Sequence, residues 1–144
     1  MIMMHKEYFG NLEEQTISNK FYRNVIYTTP DSKTQLVVMS LRPNKEIGVE
    51  VHENANQFIR VEEGACDCVL QTNKNDTNSQ IYHLNKNDTI IIPAGVYHNV
   101  INTDMNDTKI SVIYNPAQHE YGVKEHDNNP QNNTKKNVKY RFII

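Results

Sequence analysis

Short apolar runs separated by turn residues dominate the chain from residue 21 to residue 114. The runs are rich in Val, Ile, Thr, Tyr and Phe and are bounded by Pro, Asn, Asp and Ser, which is typical of β-strands and their turns. A helical pattern is suggested only at residues 12–17. The predicted strands are 21–29, 35–42, 47–52, 56–62, 66–71, 81–84, 89–92, 98–102 and 109–114.

Many short strands with almost no helical periodicity predict a single all-β domain, either a sandwich or a barrel. We place an N-terminal extension at 1–20, the β-barrel at 21–125 and a polar tail at 126–144. The tail is predicted to be flexible because its Asn, Lys and Gln residues cannot bury a core. Its last five residues, Tyr-Arg-Phe-Ile-Ile, are apolar and are expected either to stay disordered or to add a strand to this barrel or a partner's.

The strand predicted at 56–62 places an amide among apolar residues. Gln57, Ile59 and Val61 share one face because side chains alternate along a strand. Arg60 and Glu62 are expected in solvent, so the face with Gln57 is predicted to point inward. An unpaired buried amide costs about 1–3 kcal/mol, so Gln57 needs partners in the interior.

Two other segments can supply those partners. Glu50 and His52 are two residues apart and therefore share a face of a strand. His98 starts a strand after a turn in which Pro93 removes a ladder donor and Gly95 permits a sharp bend. Together with Gln57, these residues suggest a metal site inside a small β-barrel. Without the segment that contains His98, the Glu-x-His pair favours a plainer interpretation, in which Glu50 is exposed and Val49 and Val51 form the core face.

The second segment resembles a motif of the cupin family, Gly-x5-Pro-x-Gly-x2-His-x3-Asn. Pro93, Gly95, His98 and Asn102 stand at the motif positions, and Asn87 replaces the first glycine. The family's fold is a double-stranded β-helix, also called a jelly-roll barrel. The resemblance therefore implies this all-β architecture and places a site inside the barrel.

The first cupin motif, Gly-x5-His-x-His-x3,4-Glu-x6-Gly, is present in a modified form. Counting back from Gly64 puts Gln57 at the glutamate, His52 at the second histidine and Glu50 at the first, with Asn44 at the opening glycine. This Glu-x-His-x4-Gln variant resembles a subgroup of small single-domain cupins. The subgroup also tends to have a Tyr-x-Pro-x-x-His stretch after the last strand, to which residues 114–119 are similar.

The aligned residues imply a metal site made of Glu50, His52, Gln57 and His98. One carboxylate, two imidazoles and one amide oxygen form a mixed set that suits Zn, Mn, Fe or Ni. Glu50 is also a candidate catalytic general base. The alternative is a metal-free pocket in which these side chains bind a polar ligand. His119 is expected either at the barrel mouth or, with more weight, in solvent.

Three functions are consistent with these residues. The first is a metal-dependent enzyme, of oxygenase or isomerase type, that acts on a small polar molecule. The second is a non-catalytic module that binds a sugar or an organic acid. The third is a metal-free sugar-nucleotide isomerase or epimerase, which needs an acid–base pair such as a His with a Tyr. The sequence shows no clear second member of such a pair, so this function ranks last.

Composition and charge argue against nucleic-acid and membrane partners and favour a cytoplasmic location. A net charge of −2 and a pI near 6.3 provide no basic surface for nucleic acid or an anionic membrane. No run approaches the ~18 apolar residues of a membrane span, so a cytoplasmic protein is expected.

Cys66 and Cys68 are predicted to be reduced core residues. Val49 and Val51 would form an apolar outer stripe that predicts a homodimer.

Overall fold

The computed structural model describes residues 6–126, and within this part the chain forms one helix and nine strands. The strands are short and most are bounded by the turn residues seen in the sequence. The elements are α1 Leu12–Ser18, β1 Arg23–Thr28, β2 Gln35–Leu41, β3 Asn56–Glu63, β4 Ala65–Gln71, β5 Gln80–Asn85, β6 Thr89–Ile92, β7 Tyr97–Asn102, β8 Thr108–Asn115 and β9 Lys124–Glu125.

Eight of the nine predicted strands are confirmed. The exception is 47–52, where pairing is reduced to two isolated bridges, Glu46 to Ile101 and Glu50 to His98. Gly48 interrupts this segment with a φ of +98°, which takes the backbone out of the extended conformation. Strand β9 was not predicted, because a polar two-residue strand has no hydrophobic pattern.

The strands form two antiparallel sheets. One sheet has the order β6-β3-β8-β2-β1-β9 and the other β5-β4-β7. The bridged segment lies along the free edge of β7, where Ile47 N donates to Val100 O at 2.9 Å. This edge segment brings the Glu-x-His pair beside β7.

The inner faces of the two sheets enclose one hydrophobic core. Val37, Met39, Ile59 and Val112 come from the larger sheet, and Val100 comes from the smaller. Cross-strand rows such as Ile59–Val112–Val37 fill the middle of the molecule. The polar site residues lie on these same inner faces, on the strands that carry this core.

Cys66 and Cys68 are free and buried within this core, as predicted. Burial raises the pKa of each thiol to about 12. Both thiols therefore remain protonated at neutral pH and act as small apolar core residues.

The outer face of the larger sheet differs from the prediction. Helix α1 packs on β2, β3 and β8 and begins at Asn11, whose side chain accepts from Glu14 N at 2.9 Å. Glu62 was expected in solvent, but it is fully buried. Its carboxylate accepts hydrogen bonds from Arg60 and from Ser111 Oγ, the latter at 2.7 Å. Strand alternation assigns a face but does not show that a helix covers it.

The interpretations of residues 127–144 as a flexible tail and of the last five as an added strand lie outside the described residues. Within residues 6–126, no helix is long and apolar enough to cross a membrane.

Candidate metal centre

Glu50 and His98 lie side by side because their backbones are directly hydrogen-bonded. Glu50 N donates to His98 O at 2.8 Å, and His98 N donates to Glu50 O at 2.9 Å. Such a pair projects its two side chains from the same face. His52 joins them, with its Nε2 3.5 Å from Glu50 Oε1 and its ring centroid 5.4 Å from that of His98. All three residues are buried, and their ligand atoms lie within 4.8 Å of one another.

The turn before β7 fixes this arrangement locally. Val96 N donates to Pro93 O at 3.3 Å, and Gly95 has a φ of +83° at the third position of the turn. A positive φ at this position is the reason the turn uses glycine. Gly95 N also donates to His52 O at 2.9 Å, which ties the start of β7 to the segment that carries the Glu-x-His pair.

Neighbouring acceptors determine the tautomers of the two imidazoles. His98 Nδ1 lies 3.0 Å from the carbonyl oxygen of Val96, which can only accept a hydrogen bond. His52 Nδ1 lies 3.1 Å from Gln118 Oε1, and the Nε2 of this amide donates to Ala117 O at 3.0 Å. Each Nδ1 therefore carries the proton, and each Nε2 presents a lone pair to the site.

Gln57 enters the interior from β3, as predicted. Its Nε2 donates to Tyr114 Oη at 3.4 Å, and the Tyr114 ring packs edge-on against His52 with centroids 5.3 Å apart. The carbonyl oxygen of Gln57 is left without a hydrogen-bond partner. The fourth predicted ligand is thus buried and is connected to His52 through Tyr114.

The unsatisfied atoms provide a direct test of whether these residues fit a metal ion. Glu50 Oε2, His52 Nε2, Gln57 Oε1 and His98 Nε2 are all buried without a hydrogen-bond partner. Given the tautomers above, all four atoms are lone-pair donors and none carries a proton. Burying one such group costs about 1–3 kcal/mol, so four together require a cation or a set of hydrogen-bond donors. The Glu50, His52 and His98 cluster can hold a metal ion.

The electrostatics favour the protonation states that metal binding needs. Burial alone raises the pKa of Glu50, but a hydrogen bond with His52 and the positive charges that His52, Arg23 and His98 carry in the acid range, where Glu50 titrates, lower it to about 2. For His98, burial is the main reason that the pKa lies below its ordinary value, with the charge of His52 adding to it and that of Glu50 opposing it. An ionised carboxylate and a neutral imidazole are both competent ligands at neutral pH.

His119 is a correction to the sequence analysis, which favoured solvent. It is buried, and its Nε2 lies 3.3 Å from Tyr114 Oη. Gln35 holds its backbone from the opposite side, because Gln35 Oε1 accepts from His119 N at 3.1 Å and Gln35 Nε2 donates to His119 O at 2.9 Å. These two hydrogen bonds join residues 84 positions apart, so the local sequence around His119 does not reveal its burial.

The sequence analysis missed two buried polar residues, Gln118 and Arg23. Gln118 orients His52, and its only sequence signal is its place within the stretch from 114 to 119. Arg23 is fully buried on β1, where it stands in phase with Val25 of the core. The sequence signal was the position of Arg23 two residues before Val25, which puts an arginine on the apolar face of the predicted strand.

Comparison with known proteins agrees with this geometry. The sequence profile of the cupin domain matches residues 37–114. The chain belongs to the cupin family.

An uncharacterized protein of Acanthamoeba polyphaga mimivirus is 40% identical over 116 residues, which are 80% of this chain and 69% of that protein. The uncharacterized YrkC of Bacillus subtilis is 33% identical over 117 residues, which are 81% of this chain but only 61% of YrkC. The crystal structure of BH2720 from Bacillus halodurans superposes with a TM-score of 0.80 at 30% identity, covering 84% of this cupin and 89% of that chain. These relatives establish the fold and the family without naming a reaction.

The two departures from the cupin glycine pattern have a backbone explanation. Asn44 has a φ of +64° and Asn87 a φ of +77°. Both positions thus require the left-handed conformation in which glycine is favoured, and asparagine is among the non-glycine residues that tolerate it best. The substitutions preserve the turns of the motif.

Proposed function

We propose that this cupin is a metal-dependent enzyme acting on a small polar molecule, with Glu50, His52, Gln57 and His98 holding a divalent transition metal. The observation that carries the proposal is the cluster of Glu50, His52 and His98, whose ligand atoms lie within 4.8 Å of one another, together with four buried lone-pair atoms of the candidate ligands that no donor satisfies. Folding alone gains nothing from leaving these atoms unpaired. A bound cation would satisfy all four at once.

The residues present fit Zn, Mn, Fe or Ni because the donors are mixed nitrogen and oxygen atoms. When bound, such an ion supplies Lewis-acid chemistry, polarising a carbonyl or activating water or dioxygen. The protein's own contribution is orientation. Gln118 and the carbonyl of Val96 hold the two imidazoles with Nε2 turned inward. Glu50 serves as a ligand in this arrangement, with the general-base role as the alternative.

One observation supports a second candidate, a metal-free sugar-nucleotide isomerase or epimerase. That chemistry needs an acid–base pair, and Tyr114 Oη lies 3.3 Å from His119 Nε2. The two rings pack edge-on with centroids 5.1 Å apart. This pair lies next to Gln57 and His52, so it can serve either function.

Elemental analysis of untagged protein purified without chelator tests the metal. We expect about one divalent ion per chain, with the ion lost in His52→Ala and His98→Ala. His83→Ala is the matched control, because His83 is an exposed histidine on β5 that pairs with Asp67. Tyr114→Phe and His119→Ala are expected to keep the metal, which separates the two candidate chemistries.

Native protein without metal that also fails to take up Zn, Mn, Fe or Ni would contradict the proposal. Metal-loaded protein that turns over no substrate in a screen of small polar molecules would point instead to a binding module. Ligand-dependent thermal stabilisation without turnover is the signature of that outcome.

Self-association remains a prediction. Val49 is exposed and Val51 half-buried on the edge segment beside β7. A homodimer through this face is testable by measuring the molar mass of the purified protein in solution.

A further inference from the structure

A row of polar residues crosses the inner face of the larger sheet. Gln35 of β2 lies opposite Tyr114 of β8, and Tyr114 lies opposite Gln57 of β3. All three residues are buried. The next inward-facing row on the same strands is entirely apolar. Buried polar groups in such a row need hydrogen-bond partners, and those partners indicate what the row does.

Gln35 fastens the stretch that follows β8 to this row. Its Oε1 accepts from Gln118 N and from His119 N, each at 3.1 Å. Its Nε2 donates to His119 O at 2.9 Å and to Thr28 Oγ1 at 3.0 Å. Both polar atoms of the Gln35 side chain are therefore bonded. Because the backbone of His119 is held through its N–H and its carbonyl, the position of the buried imidazole is fixed.

Tyr114 connects the His119 imidazole to the amide of Gln57. Its Oη lies 3.3 Å from His119 Nε2 and 3.4 Å from Gln57 Nε2. The NH2 group of Gln57 can only donate, so the phenol oxygen accepts from it and the single phenol proton is left for His119 Nε2. The three side chains thus form one ordered chain of hydrogen bonds, which begins at Gln57 and ends at His119.

The direction of this chain decides which atom of Gln57 is left open. A side-chain amide can rotate by half a turn, which exchanges its carbonyl oxygen and its NH2 group. In the exchanged orientation, Gln57 Oε1 would compete with His119 Nε2 for the single phenol proton. The NH2 group would then lie where the unpaired Oε1 lies in this structure. An NH2 group offers no lone pair to a cation, so only the observed orientation suits a ligand.

We propose that His119 is a positioning residue of the metal centre. By accepting the phenol proton, it makes the Tyr114 oxygen the acceptor for Gln57 Nε2 and leaves Gln57 Oε1 as the atom that faces a cation. This role rests on the proposed function, because it takes Gln57 as a ligand. It also explains why a Tyr-x-Pro-x-x-His stretch accompanies glutamine at this position, since a glutamate would have no N–H to orient.

A double-mutant cycle on zinc affinity tests this role. The full-length proteins are the wild type, His119→Ala, Gln57→Leu and the double variant, each titrated with zinc in competition with a chromophoric chelator. His119→Ala is expected to weaken zinc binding about tenfold, which is typical for the loss of a residue that orients a ligand. It still loads one zinc per chain, because the cluster of Glu50, His52 and His98 is unchanged.

The cycle separates positioning from a general structural role. In the Gln57→Leu background, His119→Ala is expected to change the affinity by less than about twofold, because His119 acts only through Gln57. Tyr114→Phe breaks the same chain while keeping its ring, and it replaces His119→Ala if that variant does not fold. His119→Gln is expected to restore the affinity, since its carbonyl oxygen can accept the phenol proton. His83→Ala is the control at an exposed histidine.

Nitrogen NMR of the histidine rings in metal-free protein provides a second readout. His119 is expected to have an unprotonated Nε2 whose resonance shifts in both Tyr114→Phe and Gln57→Leu. The Nδ1 of His52 is expected to stay protonated in these variants, because Gln118 Oε1 still accepts from it at 3.1 Å. An unchanged His52 resonance shows that the stretch from 116 to 119 has kept its place.

The outcomes separate this role from the metal proposal. Additive losses of zinc affinity in the cycle, or a protonated His119 Nε2, would overturn the role of His119 while leaving the metal site intact. Protein that takes up no zinc would contradict the proposed function. The ring resonances then decide the role of His119 in orienting Gln57: an Nε2 that shifts in both variants supports it, and an Nε2 that shifts in neither overturns it.

Discussion

Two buried amides on the inner faces of the barrel differ in how well they are satisfied. Asn102, at the end of β7, donates from Nδ2 to two backbone carbonyls at 2.9 and 3.0 Å. Its Oδ1 accepts from Asp104 N at 2.7 Å and from Thr108 Oγ1 at 2.8 Å. Gln57, at the start of β3, makes a single 3.4 Å hydrogen bond to Tyr114 and leaves its Oε1 unpaired.

The difference separates structural polar groups from functional ones. Asn102 closes a turn, and every polar atom of its side chain is used by the fold. Gln57 and its neighbours Glu50, His52 and His98 each retain one unused lone pair. Burial is equal in the two regions, so burial by itself does not mark the site. The unsatisfied atoms do.

Asn102→Leu should have the largest effect on stability. The substitution leaves two carbonyls and one backbone N–H without their Asn102 partner, at a cost of about 4 kcal/mol in the free energy of unfolding. The loss should be the same with and without metal, because Asn102 takes no part in the centre. Urea unfolding with and without zinc measures both values. A cost below about 1 kcal/mol would contradict the conclusion that Asn102 is a structural amide and differs from Gln57 in this respect.

The acid sensitivity of the centre should be intermediate in size. The pKa of Glu50 is lowered in the folded protein to about 2 from an ordinary value of 4.5. The stability that Glu50 contributes is therefore fully present above pH 4.5 and is lost as the pH falls toward 2. By linkage this amounts to roughly 3 kcal/mol.

Metal-free Glu50→Gln should lack this component, so its stability should fall less steeply than that of the wild type across the acid range. Glu53→Gln, at an exposed carboxylate, is the control and should follow the wild type. Unfolding free energies measured at intervals between pH 5 and pH 2 provide the comparison. Parallel curves for Glu50→Gln and wild type would contradict an ionised Glu50 in the metal-free centre.

Gln57→Leu should have the smallest effect in metal-free protein. The change removes an unpaired carbonyl oxygen together with one long hydrogen bond, so the free energy of unfolding should change by less than about 1 kcal/mol. In the presence of zinc, the variant should lose affinity for the ion. A destabilisation as large as that of Asn102→Leu in chelator would show that the Gln57 oxygen has a partner in the fold.

The strand pattern and the cupin motifs were readable from the sequence because both depend on local rules. Alternation along β3 correctly placed Gln57 inward. The Pro-x-Gly turn correctly placed His98 at the start of a strand. The same rule failed for Glu62, since alternation assigns a residue to a face and cannot show that α1 covers that face.

Residues that act through distant partners could not be predicted in this way. The burial of His119 depends on Gln35, and the orientation of His52 depends on Gln118, which is 66 positions away. The buried charge of Arg23 likewise depends on Glu125, 102 positions along the chain, for its ion pair. No periodicity connects such pairs, because the chain folds back between them.

By itself, the sequence determined the strands, the cupin family and the identity of the four candidate ligands. Strand alternation, turn residues and motif spacing are properties of neighbouring residues, so they are written in the linear order. Only the tertiary structure decided that Glu50, His52 and His98 meet and that four buried lone pairs of the candidate ligands have no hydrogen-bond donor. Whether a buried polar atom is satisfied depends on every segment packed around it, and that is a property of the folded chain.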